Sequence, residues 1–297
     1  MDIRPAHPDE AEALAAVRRD VFPFAVMSPA TIRHIITTEG AGEKPLHLVG
    51  LDDGRVVAWG SASMNTWTSE AGQAGLHVHV HPDHRLRGIG GALAERLHEH
   101  LAAVDAVRVR TFASLSGVEF AKRRGYDGSR QMHCSGIDLR QPLPEPPPTP
   151  DGIELVGMDQ VTARQAYDAD TIASRDEPGD SPIDAVDFDE WVREIWENPG
   201  LDKALSVAAV AGDEIASFAA VETAGDRSWS SITGTLPAYR GRGLAKLVKS
   251  VALRRAAAAG ITGAFTANDD ENGPMLAVNN WLGYRRVETQ TGLLRTL

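Results

Sequence analysis

Cysteine is almost absent from this 297-residue chain. Cys134 is the single one, so no internal disulfide, no cysteine-based zinc site and no CxxC motif can form. Alone, it reads as a small buried hydrophobe. Aromatics make up only 6%, which leaves Leu, Val and Ala to fill the cores. No apolar run approaches the 18 or so residues of a membrane span. A targeting segment is not expected either, because Asp2, Arg4, Asp9 and Glu10 break up the start of the chain. The expectation is a soluble, cytoplasmic protein with no membrane partner. Basic residues are short as well: 30 Lys and Arg face 41 Asp and Glu, a net charge of −11, which argues against nucleic acid as a partner.

What is present comes in two copies. Residues 1–140 hold 17 acids and 16 bases, while residues 141–297 hold the other 24 acids and 14 bases, a net of −10. Between the halves lies QPLPEPPPTPD, residues 141–151, whose six prolines block helix and central strand and predict a stiff, extended linker. The predicted order in residues 1–140 is strand, two helices, three strands, helix, strand, helix, strand. Residues 152–297 follow the same order. Matching points keep step, with Pro82 and Arg85 each 155 residues before Pro237 and Arg240. The period is that of a domain, far longer than a solenoid repeat.

The most informative repeat is a turn. RLRGIG (Arg85 to Gly90) and RGRGLA (Arg240 to Ala245) each stand between a predicted strand and an amphipathic helix. A helix start offers unpaired N–H groups and the positive end of the dipole. Glycine at 88 and 243 lets backbone approach a phosphate, and Arg85, Arg87, Arg240 and Arg242 add charge. The third glycine of GxGxxG is missing, and no GxxxxGK[ST] P-loop exists.

Strand–Pro–Arg-x-x-Gly-x-(Gly/Ala)–helix, followed some 40 residues on by a helix ending in Gly-Tyr (Gly125-Tyr126, Gly283-Tyr284), resembles the GNAT superfamily of acyl-CoA-dependent N-acetyltransferases. The likeness covers nearly the whole chain, once per half, as in tandem members. It implies an α/β fold of two domains, each a mostly antiparallel mixed sheet with a splayed central pair of strands flanked by helices. It also implies acetyl-CoA as cofactor. Its pyrophosphate would lie on Leu86, Arg87, Gly88, Ile89, Gly90 and Gly91, or on Gly241, Arg242, Gly243, Leu244, Ala245 and Lys246. Its pantetheine arm would pair with Val78 and Val80, or with Thr233 and Thr235.

The chemistry is less plainly written. Where many members carry Asn-x-x-Ala-x-x-x-Tyr before Gly-Phe/Tyr, the second half has Asn272 in place but Asn279 at the tyrosine position. The first half has neither. Asn279 can hydrogen-bond a thiolate or the cofactor amide but cannot protonate either at neutral pH; otherwise it is a satisfied mid-helix amide. Asn272, just before Pro274, reads as a helix cap compatible with a cofactor contact. Glu222 is either the general base or a solvated carboxylate. His77, His79 and His81 alternate along one strand, which admits a metal or a proton relay beside cofactor pairing, and no metal is assigned.

Residues 152–297, with Asn268 and Asn272 beside the turn, are the expected catalytic half. Residues 1–140 are either a degenerate copy or a second cofactor site. Between Ala166 and Asp202 stand 12 acids against Arg175 and Arg193, either a solvated face or a funnel for a cationic amine. Trp191 and Trp196, as i and i+5, are not expected to share a helical stripe. The expected activity is acetyl transfer to the primary amine of a small, cationic acceptor. The alternatives are a non-catalytic acyl-CoA sensor and an acetyltransferase for protein N-termini or lysines. Oligomeric state is not expressed in the sequence.

Overall fold

A computed structural model describes residues 2–297. The chain folds into two compact units, one made of the chain through Met132 together with Thr289–Leu297, the other of His133–Glu288. Repeat boundary and unit boundary therefore differ, because the last nine residues belong to the unit formed by the start of the chain.

In the first unit, β1 (Asp2–Pro5), β2 (Leu46–Asp52), β3 (Arg55–Met64) and β4 (Gln73–Val80) form an antiparallel array. The Asp53-Gly54 turn, with positive φ at both residues, joins β2 to β3. Helices α1 (Ala11–Val21) and α2 (Pro29–Thr37) cover one face, where Leu14, Ile32, Val49 and Trp59 pack together. Helix α3 (Ile89–Ala103) covers the other, and its Ile89, Leu93, Leu97 and Leu101 are fully buried at spacings of four. Strand β5 (Arg108–Ser114) runs parallel to β4, and α4 (Leu115–Lys122) leads to β6 (Asp127–Asp138).

The second unit repeats this plan. It contains β7 (Glu154–Gly157), α5 (Ala163–Ala173), α6 (Phe188–Trp191), β8 (Val207–Ala211), β9 (Glu214–Ala224) and β10 (Arg227–Thr235). It continues with α7 (Leu244–Ala258), β11 (Gly263–Asp269), α8 (Gly273–Leu282) and β12 (Arg285–Thr296). Helix α7 buries Leu244, Leu247, Val248 and Ala252 against Val207, Ala219 and Val221. The proline-rich residues 141–151 carry no regular structure, and they lie along α7, where Arg254 donates to the carbonyls of Leu143 and Pro144 and pairs with Glu145.

Two strands change unit along their length, β6 after Met132 and β12 after Glu288. The strand order within the first unit is β1-β2-β3-β4-β5-β12-β6 and within the second β12-β6-β11-β10-β9-β8-β7. Residues Gln290–Thr296 fill the place beside β5, pairing antiparallel with Ser114–Arg108.

Candidate functional site

The parallel strands of each unit meet only at their first residues. In the first unit β4 pairs with β5 at Gln73, Ala74 and Gly75 alone. In the second β10 pairs with β11 at Arg227, Ser228 and Trp229 alone. Beyond these points the strands diverge, so the following residues, including Val78 and Val80 or Thr233 and Thr235, present an edge of backbone without a strand beside it. Such an edge accepts an extended ligand as an added strand. In the second unit Thr266 Oγ1 still reaches the Ser230 carbonyl across 3.1 Å, just past the last pair.

Each turn opens at the end of its diverging strand. Gly88 and Gly243 cap α3 and α7 with φ of 89° and 78°. The first helical bonds are Ala92 N–H to Gly88 and Leu247 N–H to Gly243, so the N–H groups of residues 89–91 and 244–246 have no acceptor within the helix. A Cβ built on Gly88, Gly241 or Gly243 meets nothing within 4 Å, which leaves both turns open toward a ligand. Such a cradle of free N–H groups at a helix start suits a phosphate group.

The arginines of the two turns are employed differently. Arg85 and Arg240 play one part: each Nε donates to the carbonyl of the last strand residue, Val80 or Thr235, bracing the turn. Arg240 also pairs with Asp176 at 2.6 Å. Arg87, however, is bound to Asp52 at 2.9 Å and to the Asp83 carbonyl, whereas Arg242 lies over the ring of Tyr239 with no ion pair among the described residues. Over Gly91 in the first unit lies the Arg124 guanidinium, which stacks on Phe120. Lys246 sits 5.1 Å from the ring of Trp281.

In the second unit three of the predicted residues, Asn268, Asn272 and Asn279, meet at α8. Asn272 caps α8, accepting from Met275 N–H at 3.2 Å. Asn279, one turn before the end of α8, is buried and donates its Nδ2 to Asn268 Oδ1 at the end of β11, 2.6 Å away. Its own Oδ1 has no partner, an exposed hydrogen-bonding demand in a buried place. Glu222 faces the same side of β9 as Phe218 and Ala220, which pack under α5. Burial raises its carboxyl above the ordinary range, partly offset by a hydrogen bond from Ser231. Ser231 is the extra residue of a β-bulge between Ser230 and Ile232, and β4 has no such irregularity. The sequence reading missed Ser231, since a bulge leaves no mark on composition. It also missed Lys249, buried in α7 over the ring of Tyr284, whose pKa burial pushes down to about 7.

The acidic wall differs from its sequence reading in two ways. Asp170 is not solvated: it is buried in α5 and accepts from Trp191 Nε1 at 2.7 Å and Ser174 Oγ at 2.9 Å, and burial raises its pKa. Trp191 and Trp196 do stack, with ring centroids 6.0 Å apart. The helix widens to a π turn over Val192–Trp196, closed by Glu197 N–H to Val192 C=O, and in that geometry i and i+5 lie one above the other. The outer face of Trp196 carries Lys203 Nζ at 4.0 Å.

The first-half histidines do not converge on one point. His79 Nε2 meets Arg18 Nη1 at 2.9 Å, and His81 faces Asp20 at 3.3 Å.

Residues 12–126 match the acetyltransferase (GNAT) family. The chain thus carries a GNAT-family domain. Over 306 residues it is 26% identical to a mycothiol acetyltransferase of Nocardiopsis dassonvillei, covering 93% of this chain and 89% of that one. Over 233 residues it is 25% identical to a mycothiol acetyltransferase of Nocardioides, covering 73% and 79%. A GCN5-related N-acetyltransferase of Sphaerobacter thermophilus shares the fold over 99% of this chain and 95% of that one, with a TM-score of 0.73 at 19% identity. A tandem GNAT protein from the clavulanic acid biosynthesis pathway superposes with a TM-score of 0.72 at 18% identity, over 99% and 98%. The fold of the whole chain is thus that of tandem GNAT proteins. No helix is long and apolar enough to cross a membrane.

Proposed function

We propose that the second unit of this acetyltransferase is the catalytic one and that it acetylates the primary amine of a small cationic acceptor. The observation that carries the reading is Glu222, a carboxylate with a raised pKa on the side of the sheet that faces α5 and its acids. An amine must lose its proton to attack, and a base whose pKa is lifted toward neutrality suits that task.

Acetyl-CoA, which the family generally uses, supplies the acetyl group as a thioester. The residues suited to hold it are the N–H groups of Gly241, Arg242, Gly243, Leu244, Ala245 and Lys246, the Arg242 guanidinium, and the free edge of β10 at Thr233 and Thr235. Asn279 Oδ1, unpaired and buried, serves as an acceptor for an N–H of the cofactor arm or of the incoming amine. Asn268 fixes the orientation of that amide, and Asn272 holds the start of its helix. Glu222 takes the proton of the amine, with Ser231 orienting the carboxylate. Neither unit places a tyrosine where the resemblance puts the acid, so positioning and electrostatics carry more of the rate.

The acids from Asp168 to Asp202 draw a cation toward this face. The relatives are named mycothiol acetyltransferases, which makes the des-acetyl form of mycothiol the first acceptor to test, beside polyamines and aminoglycosides. Thiol release from acetyl-CoA should rise with a cationic amine, fall steeply as salt is added, and lose its acid limb in Glu222→Gln. Turnover indifferent to both salt and Glu222 would sink the proposal.

A further inference from the structure

The first unit half-buries a guanidinium with no carboxylate beside it. Arg18, on α1, donates Nη1 to His79 and lies 5.9 Å from the centre of the Phe22 ring. Its Nε is buried without a partner. Among the described residues no acid pairs with it: Asp20, two positions on, faces His81, and Glu10 is taken by Arg4. A charge in such a place is costly unless an opposite charge completes it.

The surroundings form a continuous wall rather than a lone residue. The His77 and His79 rings stack at 11°, Trp59 lies 6.0 Å from His79, and His47 lies 6.3 Å from Trp59. Trp59 Nε1 is a second buried N–H donor without an acceptor. His77, whose pKa is lowered to about 4, is exposed on the same face of β4 and lies near the charges of Arg18 and Arg110. Arg110 is the last β5 residue paired with β4, so this wall lies where the two strands begin to part. Two guanidiniums, neutral imidazoles and orphan N–H donors make a receptor for an acceptor-only anion.

We infer that the first unit binds a carboxylate against this wall, with Arg18 as its anchor and Arg110 beside it. The carboxylate is either that of a free small acid or the far end of an acyl chain carried on CoA. The free-acid arm does not depend on how the glycine turn is read.

Full-length protein labelled with ¹⁵N-arginine should be titrated with succinate, succinyl-CoA and acetyl-CoA, following the Arg18 Nε–H signal, assigned by its loss in Arg18→Gln, alongside calorimetry. The signal should move with succinate if the ligand is a free acid, or with succinyl-CoA and not acetyl-CoA if it is CoA-borne. Arg18→Gln should weaken that binding at least tenfold and leave acetyl-CoA affinity within twofold. Should Arg18→Gln fold poorly, Arg110→Gln, an exposed change, should still weaken it about threefold. Arg18→Met should keep or raise the ligand-free Tm, since it removes an uncompensated charge. Carboxylate binding unchanged in both glutamine variants, no movement of the Arg18 signal in any titration, or a large loss of Tm in Arg18→Met would each overturn the assignment.

Discussion

Arg18 and Asp170 occupy the same place in two copies of one fold. Each is the eighth residue of the helix that covers the diverging strands, Arg18 half-buried with its Nε enclosed and Asp170 buried, and the charges are opposite. The fold around them is shared down to the splay and the glycine caps. Duplication here kept the scaffold and reversed the floor: a cation with unused donors in one unit, an acid already satisfied by Trp191 and Ser174 in the other. The turns diverge in the same sense. Arg87 is spent on Asp52 while Arg242 lies over the Tyr239 ring, and β10 has a bulge that β4 lacks. Equal backbones therefore do not imply equal sites, and the proposed division of labour can be attacked residue by residue.

The largest effect is expected at Glu222. Glu222→Gln should lower kcat roughly 10³-fold, within the range for loss of a general base. The wild-type rate should fall as pH drops through the raised pKa of Glu222, and the variant should lack that limb. The same shift has a consequence for stability. A carboxyl raised by burial favours the folded state most below its unfolded pKa, and that contribution is lost as pH rises through the folded pKa. Glu222→Gln should therefore gain Tm at pH 8 relative to wild type and show little difference at pH 4. A variant that loses activity and stability together at pH 8 would speak for a structural carboxylate.

A turn substitution compares the units directly. Gly243→Val fills open space above the turn and forces a branched side chain to φ near 78°, so kcat/KM for acetyl-CoA should fall about 100-fold. Gly88→Val, the same change in the first unit, should leave steady-state turnover within threefold. Equal losses would show two active turns or one coupled site.

How much of this was legible beforehand follows from what leaves a periodic or compositional trace. The glycine turns and the α3 and α7 stripes are local patterns, and so is the Asn272 cap, where side chain and backbone lie three residues apart. The wider partnerships are not local. Asn279 meets Asn268 only because α8 packs beside β11. The return of Gln290–Thr296 to the first unit is invisible in a segment where Thr, Gln and Arg interrupt the apolar residues. The Trp191–Trp196 stack was misjudged because a regular helix was assumed where the backbone adds a residue per turn.

Arg242→Ala should raise the KM for acetyl-CoA about tenfold, the worth of one charge-assisted contact to phosphate. Arg87→Ala should shift it less than twofold, since that guanidinium is held by Asp52 and removing it frees a carboxylate near the first turn. Steady-state kinetics at fixed acceptor separates the two. A reversal of their order would make the first turn the occupied one.

The smallest difference between the turns is the residue after the bracing arginine. Both copies hold it in the left-handed region, but it is Gly241 at φ 76° in one and Leu86 at φ 62° in the other. A leucine there is strained by about 1 kcal/mol, and Leu86 is fully exposed, so nothing from packing compensates. Leu86→Gly relieves that strain, although glycine also loosens the unfolded chain and returns part of the gain. The expected result is a Tm higher by roughly 1–3 °C with unchanged turnover, measured by calorimetry. Gly241→Leu should move the other way and reduce turnover, because the strain then falls on the turn proposed to hold the cofactor. If Leu86→Gly instead lowers Tm, the exposed leucine is fastened by something in solution, and the first turn is an occupied surface.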